Sequence, residues 1–110
     1  VLRVWNCKFG QMKRGGYVYF MTNKNKTTIY CGVTSDLPKR VFEHKNHTYQ
    51  KSFSAKYNLE FLVYYEGFQR IEEAIAREKQ IKAGTRKKKE ELINSLNPEW
   101  KDLYSDVLEW

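Results

Sequence analysis

Glu78 is the residue whose type least suits its place in the chain. It lies four residues beyond Ala74, three beyond Ile75 and three before Ile81. In a helix that spacing sets a carboxylate on the apolar stripe. A buried, unpaired carboxylate costs several kcal/mol, so Glu78 needs a cation or strong hydrogen-bond partners. Two plainer readings stand beside this one: an internal ion pair with Arg or Lys, and a stripe narrow enough to leave Glu78 at its edge.

Arg40 follows Leu37 by three residues and precedes Val41, so it borders an apolar helix face, and His44 follows on the same side. An Arg and a His stacked near a helix N-terminus can bind a phosphate and move a proton. The plainer reading is a surface Arg and a surface His. His44 and His47 form an H-x-x-H pair, which lacks the further ligand that zinc needs.

Basic residues supply a third theme. The stretch Lys45, Tyr49, Lys51, Phe53, Lys56, Tyr57 interleaves cations with aromatics, which suits phosphate pairing and base stacking. An ordinary polar loop with its aromatics in the core has the same composition. Lys39 adds a further cation, and Arg86-Lys87-Lys88-Lys89 either contacts phosphates or is a solvated helix face.

These side chains need a scaffold. Tyr17–Thr22 and Thr27–Thr34 are aromatic and β-branched, so they read as strands around the turn-forming Asn23-Lys24-Asn25-Lys26. A loop of residues 24 and 25 sets Tyr19 opposite Tyr30. Alternation puts Val18, Phe20, Ile29, Cys31 and Val33 on an apolar face, and Tyr17, Tyr19, Tyr30 and Gly32 on the other. Ser35 or Asp36 caps a helix to about residue 46, with Pro38 in its first turn. Residues 47–57 read as a polar, basic loop. Leu59–Tyr65 reads as a buried strand ended by Gly67. Residues 70–83 form a helix with the stripe Ile71, Ala74, Ile75 and Ile81, stopped at Gly84. Residues 86–96 form another, ended by Asn97-Pro98. Trp100, Leu103, Tyr104, Val107, Leu108 and Trp110 give the tail apolar area for docking.

The chain has 110 residues, one domain by length. The expected division is an N-terminal extension, 1–11, and a single domain, 12–110, with Met12-Lys13-Arg14-Gly15-Gly16 as a flexible entry. The longest apolar run, Phe61–Tyr65, is too short to span a bilayer, and the N-terminus lacks a signal-peptide core. Two cysteines, Cys7 and Cys31, make no disulfide scaffold. A cytoplasmic protein without a membrane or an obligate protein partner is expected. Charge is one-sided: residues 1–57 carry eleven basic and two acidic side chains, while residues 58–110 carry nine and eleven. Such a field suits a polyanion, and nucleic acid is the commonest one.

The hairpin motifs now align with a known pattern. Tyr17-Val18-Tyr19, followed after ten residues by Tyr30-Cys31-Gly32, resembles the motif pair of the GIY-YIG nuclease superfamily. Arg40, His44, Ala76-Arg77-Glu78 and Asn97 match further family positions in order. The resemblance covers residues 16 to about 102. The Thr-Ser-Asp-Leu segment and Asn97-Pro98-Glu99-Trp100 are similar to the small stand-alone bacterial subfamily, related to the nuclease module of the excision-repair C subunit. Tyr17 stands where the family name has Gly, Cys31 replaces a branched aliphatic, and Val33-Thr34 stand where the repair subunit has a Lys.

The resemblance implies an α+β fold: a small, mainly antiparallel three-stranded sheet flanked by helices. It implies a metal-dependent endonuclease that hydrolyses phosphodiester bonds, with DNA and DNA repair or processing as the expected context. Tyr19, Tyr30, Arg40, His44 and Glu78 would converge on the sheet's open face, with Gly32 and Asn97 as structural neighbours. One Mg²⁺ or Mn²⁺ would sit on Glu78 with waters. Arg40 would bind the scissile phosphate, and a tyrosine or His44 would deprotonate the attacking water. Lys39, Lys45, Lys51, Lys56, Arg86 and Lys87 are the expected nucleic-acid contacts. Two other readings keep fewer of these features: a binding module without turnover, and a small structural basic protein.

Overall fold

The computed structural model describes residues 15–46 and 58–108. The expectations placed on residues 1–11, Met12, His47, Tyr49, Lys51, Phe53, Lys56, Tyr57 and Trp110 lie outside that range. Seven elements follow in order: β1 (Gly16–Thr22), β2 (Ile29–Thr34), α1 (Leu37–Lys45), β3 (Phe61–Phe68), α2 (Ile71–Lys82), α3 (Arg86–Leu96) and α4 (Tyr104–Val107). The sheet is antiparallel in the order β2-β1-β3. The α+β expectation therefore holds. No helix among the described residues is long and apolar enough to cross a membrane.

The hairpin register differs from the expected one by two positions. Tyr19 pairs with Gly32, and Tyr30 pairs with Met21. Asn23 is the cause. Its Oδ1 accepts from the Thr27 and Thr28 amides at 2.8 and 3.3 Å, its Nδ2 donates to Thr27 Oγ1 at 2.7 Å, and its carbonyl accepts from Lys26 N at 3.0 Å. An Asn that bonds the backbone ahead of it holds a turn wider than two residues. A shift of two preserves strand parity, so the predicted face assignment survives the register error.

Both faces are covered. Val18, Phe20, Cys31, Val63 and Tyr64 pack against Ala74 and Ile81 of α2 and Ile93 of α3. Tyr17, Tyr19, Met21, Leu62 and Tyr65 pack against Leu37 and Val41 of α1 and against Leu103 and Val107 of the tail. The tyrosine face is thus a second core rather than an open surface, and Tyr19 is fully buried.

Local chemistry explains the element ends. Asp36 caps α1 by accepting from Lys39 N, with Pro38 in the first turn. Thr85 caps α3 in the same way through Lys88 N. β3 runs through Gly67 to Phe68 because Gly67 pairs with Tyr17 of the central strand. Gly15 and Gly16 are a close-packed joint, not a flexible entry. A Cβ on Gly16 would lie 2.6 Å from Ile71 Cδ1, and one on Gly15 would lie 2.2 Å from the Gln69 carbonyl. The stripe of α2 is narrower than expected: Ala74 and Ile81 are buried, whereas Ile75 is 37% exposed.

Candidate active site

The two strands and α1 bring four of the five expected catalytic side chains together. Tyr19 points from the centre of β1, Tyr30 from the edge strand β2, and Arg40 and His44 from successive turns of α1. The Tyr19 hydroxyl lies 2.9 Å from His44 Nε2. Arg40 Nε donates to the same hydroxyl at 3.3 Å. The rings of Tyr19 and Tyr30 are 6.2 Å apart, and each is 5.5 Å from the His44 ring.

Gly32 makes this cluster possible. It faces Tyr19 across the ladder, and a Cβ there would lie 2.6 Å from the Tyr19 hydroxyl oxygen and 2.8 Å from a Tyr30 ring carbon. The Tyr19 ring can cross β2 only because that position carries no side chain.

Burial sets the protonation states. Burial, followed by the Arg40 charge, lowers the His44 pKa to about 4, with Glu43 opposing. His44 is therefore a neutral imidazole at pH 7. Its Nδ1 is buried without a hydrogen-bond partner among the described residues. When Tyr19 donates to Nε2, the ring proton sits on Nδ1. Burial also pushes the Tyr19 phenol well above its usual value, against the pull of Arg40. Tyr19 stays protonated, so its hydroxyl can relay a proton but is not a standing phenolate. Burial works against the Arg40 charge, but the bonds to Tyr19 and Glu43 outweigh it and keep the guanidinium fully ionised.

Glu78 enters from the opposite layer. Its helix packs on the Val18 and Phe20 face, so it does not share the tyrosine face as expected. The link is β2: the Glu78 and Lys82 charges act on the Cys31 thiol, and the Lys82 charge also acts on Tyr30. Glu78 Oε2 is 2.7 Å from Lys82 Nζ, and the Glu78 side chain keeps 13% of its surface exposed. Burial and Glu78 raise the Cys31 pKa to about 12, which leaves it an inert thiol.

Glu78 is a single hard oxygen donor. Among the described residues no group of three His, Cys, Asp or Glu side chains is placed to hold a metal ion. A lone carboxylate fits Mg²⁺ or Mn²⁺, which bind through one or two carboxylates and keep their waters. It does not fit a structural zinc site.

The expected nucleic-acid contacts divide. Lys39 and Lys87 are exposed. Lys45 is a structural tie. Its Nζ lies 2.5 Å from Asp102 Oδ2, donates to the Glu60 carbonyl at 2.8 Å and sits over the Phe61 and Tyr104 rings. Arg86 is also engaged, donating to the Lys26 and Thr27 carbonyls and to Glu90. Lys51 and Lys56 lie outside the described residues. Asn97 is a buried pin whose Nδ2 donates to the Val63 and Lys101 carbonyls at 3.2 and 2.7 Å. It braces β3 on the side of the sheet away from β2.

The sequence reading left an ion pair of Glu78 with Arg or Lys open, and the structure supplies it, while the Arg40 partner was not foreseen. Glu43 accepts from Arg40 NH1 at 3.0 Å, and Lys82 holds Glu78. Both sit at helical spacing, i+3 and i+4, where an opposite charge is the expected neighbour.

The profile of the GIY-YIG catalytic domain matches residues 15–91. That range holds the tyrosine strands, α1 and Glu78 but not Asn97. The chain is 38% identical over 79 residues to a UPF0213 protein of Clostridium perfringens, covering 72% of this chain and 83% of that protein. It is 35% identical over 78 residues to one of Staphylococcus saprophyticus, with 71% and 93% covered. It is 31% identical over 88 residues to one of Bacillus pumilus, with 80% and 89% covered. No solved structure matches significantly. The chain belongs to the GIY-YIG family of nucleases.

Proposed function

We propose that this protein is a divalent-metal-dependent endonuclease that hydrolyses phosphodiester bonds, with DNA as its substrate and repair or processing of DNA as its setting. The observation that carries the reading is the chain of contacts from Arg40 through Tyr19 to His44. It joins a phosphate-binding cation to a neutral base through a buried hydroxyl.

The residues divide the work. Arg40 keeps 31% of its side-chain surface exposed, so a phosphate can reach it and its charge offsets the charge that grows in the transition state. Tyr30 is the half-buried hydroxyl at the mouth of the cluster. It takes a proton from the attacking water and passes its own to Tyr19, which passes one to His44 Nε2. The water is left as hydroxide and His44 as imidazolium. Burial is the larger cause that lowers His44 and stays in place, but phosphate bound at Arg40 offsets the smaller part due to that charge, so substrate binding raises the basicity of the acceptor. Glu78 would hold Mg²⁺ or Mn²⁺, which supplies positive charge for the leaving oxygen.

A second reading, a nucleic-acid-binding module without turnover, draws on the Glu78–Lys82 ion pair, which satisfies the carboxylate without a metal. One experiment separates the two. Single-stranded, nicked, branched and duplex DNA, and the matching RNAs, are incubated with the protein and Mg²⁺, Mn²⁺ or EDTA. Metal-dependent cuts in DNA support the nuclease. Binding to every substrate with no cut under any condition leaves only the module.

A further inference from the structure

A cleft of about 580 Å³ opens between the C-terminal half of α2 and α3, within the range of small-ligand sites. Lys88 and Lys89 line it from α3, and Ile81 and Leu92 contribute apolar surface. Arg77 lines it from α2, but its Nε donates to Glu66 Oε1 at 3.1 Å and its NH1 to Gln80 Oε1 at 2.8 Å, so its charge is engaged there. Glu91 is the acid in its lining. The cleft is close to the metal-binding candidate, because Arg77 of its lining immediately precedes Glu78 and Ile81 lies one helical turn beyond it.

The charge placement is unfavourable for folding alone. The first turn of α3 carries no acidic residue and begins Arg86-Lys87-Lys88. Cations there oppose the helix dipole. Arg86 spends its charge on the hairpin carbonyls and Glu90. Lys88 and Lys89 line the cleft instead. Two adjacent lysines beside an apolar floor fit a ligand with both an anionic backbone and flat apolar groups.

We propose that this cleft holds the strand of nucleic acid flanking the cut, with its phosphates on Lys88 and Lys89 and a base or sugar over Ile81 and Leu92. The inference rests on the nuclease reading and adds to it the path of the strand. A run of acidic side chains such as poly-glutamate would satisfy the cations but leave the apolar floor uncovered.

The test is fluorescence anisotropy of a labelled single-stranded oligonucleotide over a range of salt. Lys88→Glu/Lys89→Glu should bind at least about tenfold more weakly, and Lys88→Gln/Lys89→Gln should bind more weakly with a salt slope shallower by roughly 1.4, the change for two lost phosphate contacts on a single strand. The charge-matched control, Lys24→Glu/Lys101→Glu, alters two exposed lysines outside the cleft and should lose under about threefold. Equal losses in the cleft and control variants would reduce the effect to net charge and overturn the proposal. So would displacement of the oligonucleotide by poly-glutamate at equal concentration of charge. If the wild-type chain binds and cuts but the cleft variants match it, the cleft proposal falls and the nuclease reading stands. If the wild-type chain binds no oligonucleotide, both fall.

Discussion

The Tyr19 hydroxyl and His44 Nε2 meet at 2.9 Å inside the protein, and Arg40 donates to the same hydroxyl. The pair joins the central strand to α1, so the chemistry and the packing of one face depend on the same contact. Stability and activity should therefore respond together to changes at this point, in ways that can be separated by pH and by the choice of substitution.

The first consequence concerns acid. His44 has a folded pKa of about 4 against an ordinary value of 6.5. Between these values the unfolded chain binds the extra proton and the folded chain does not. Stability is therefore complete above pH 6.5 and falls as the pH drops toward 4, by roughly 3 kcal/mol in all. Urea unfolding at pH 7 and pH 4.5 measures the loss. In His44→Gln the part of that slope due to His44 should vanish. An unchanged slope would mean that His44 is not held neutral.

The tyrosines can be tested without emptying the core. Tyr19→Phe and Tyr30→Phe each remove one hydroxyl and keep the ring. Tyr19→Phe also leaves Arg40 Nε and His44 Nε2 without their shared partner, so it should cost about 1–2 kcal/mol. Tyr30→Phe should cost less. Cleavage should fall by roughly 10² or more in both. Single-turnover rates on a substrate that the wild type cuts decide the matter. Parent rates in both variants would make the tyrosines packing residues.

Gly32→Ala should injure both properties. Its Cβ would meet the Tyr19 hydroxyl oxygen at 2.6 Å, and Tyr19 is buried with no room to retreat. A loss of about 1–3 kcal/mol is expected in chemical denaturation, with cleavage lost along with the displaced hydroxyl. A fully stable, active Gly32→Ala protein would contradict the packing described.

Lys45 should affect stability and leave binding alone. Asp102 accepts from Leu62 N and Tyr104 N as well as from Lys45 Nζ. Asp102→Ala therefore strands three donors and should cost about 1–3 kcal/mol. In Lys45→Gln the oligonucleotide affinity of the folded protein should stay within about twofold, since Lys45 faces a carboxylate and two rings rather than a phosphate. A large loss of affinity without loss of stability would return Lys45 to the binding surface.

How far the sequence could be read follows from which forces are local. Alternation along β1 and β2 sorted the two faces correctly because it depends only on strand parity. The register depended on how Asn23 closes its loop, and composition does not count the residues in a turn. The end of α3 was legible because Asn97-Pro98 stops it chemically, whereas its N-cap, Thr85, is seen in the structure. The cover over the tyrosine face was not, because it is built by Leu103 and Val107 from the far end of the chain. Likewise nothing near Lys45 in sequence announces Asp102. At the site, Arg40 and His44 could be paired by helical spacing. That Glu78 would come from the opposite layer depends on which face α2 covers, and its own stripe does not say.

The Glu78→Gln variant, assayed for cleavage, oligonucleotide binding and melting temperature with and without Mg²⁺, tests the nuclease account most directly. The wild type should cut with Mg²⁺ and stop with EDTA. Glu78→Gln removes the charge and keeps the shape, and its partner Lys82 is half exposed, so the fold should lose no more than about 1 kcal/mol. The variant should melt within a few degrees of the wild type, bind the oligonucleotide and cut nothing. A Glu78→Gln protein that loses stability but cuts at the parent rate would make Glu78 an ion-pair partner and contradict the account.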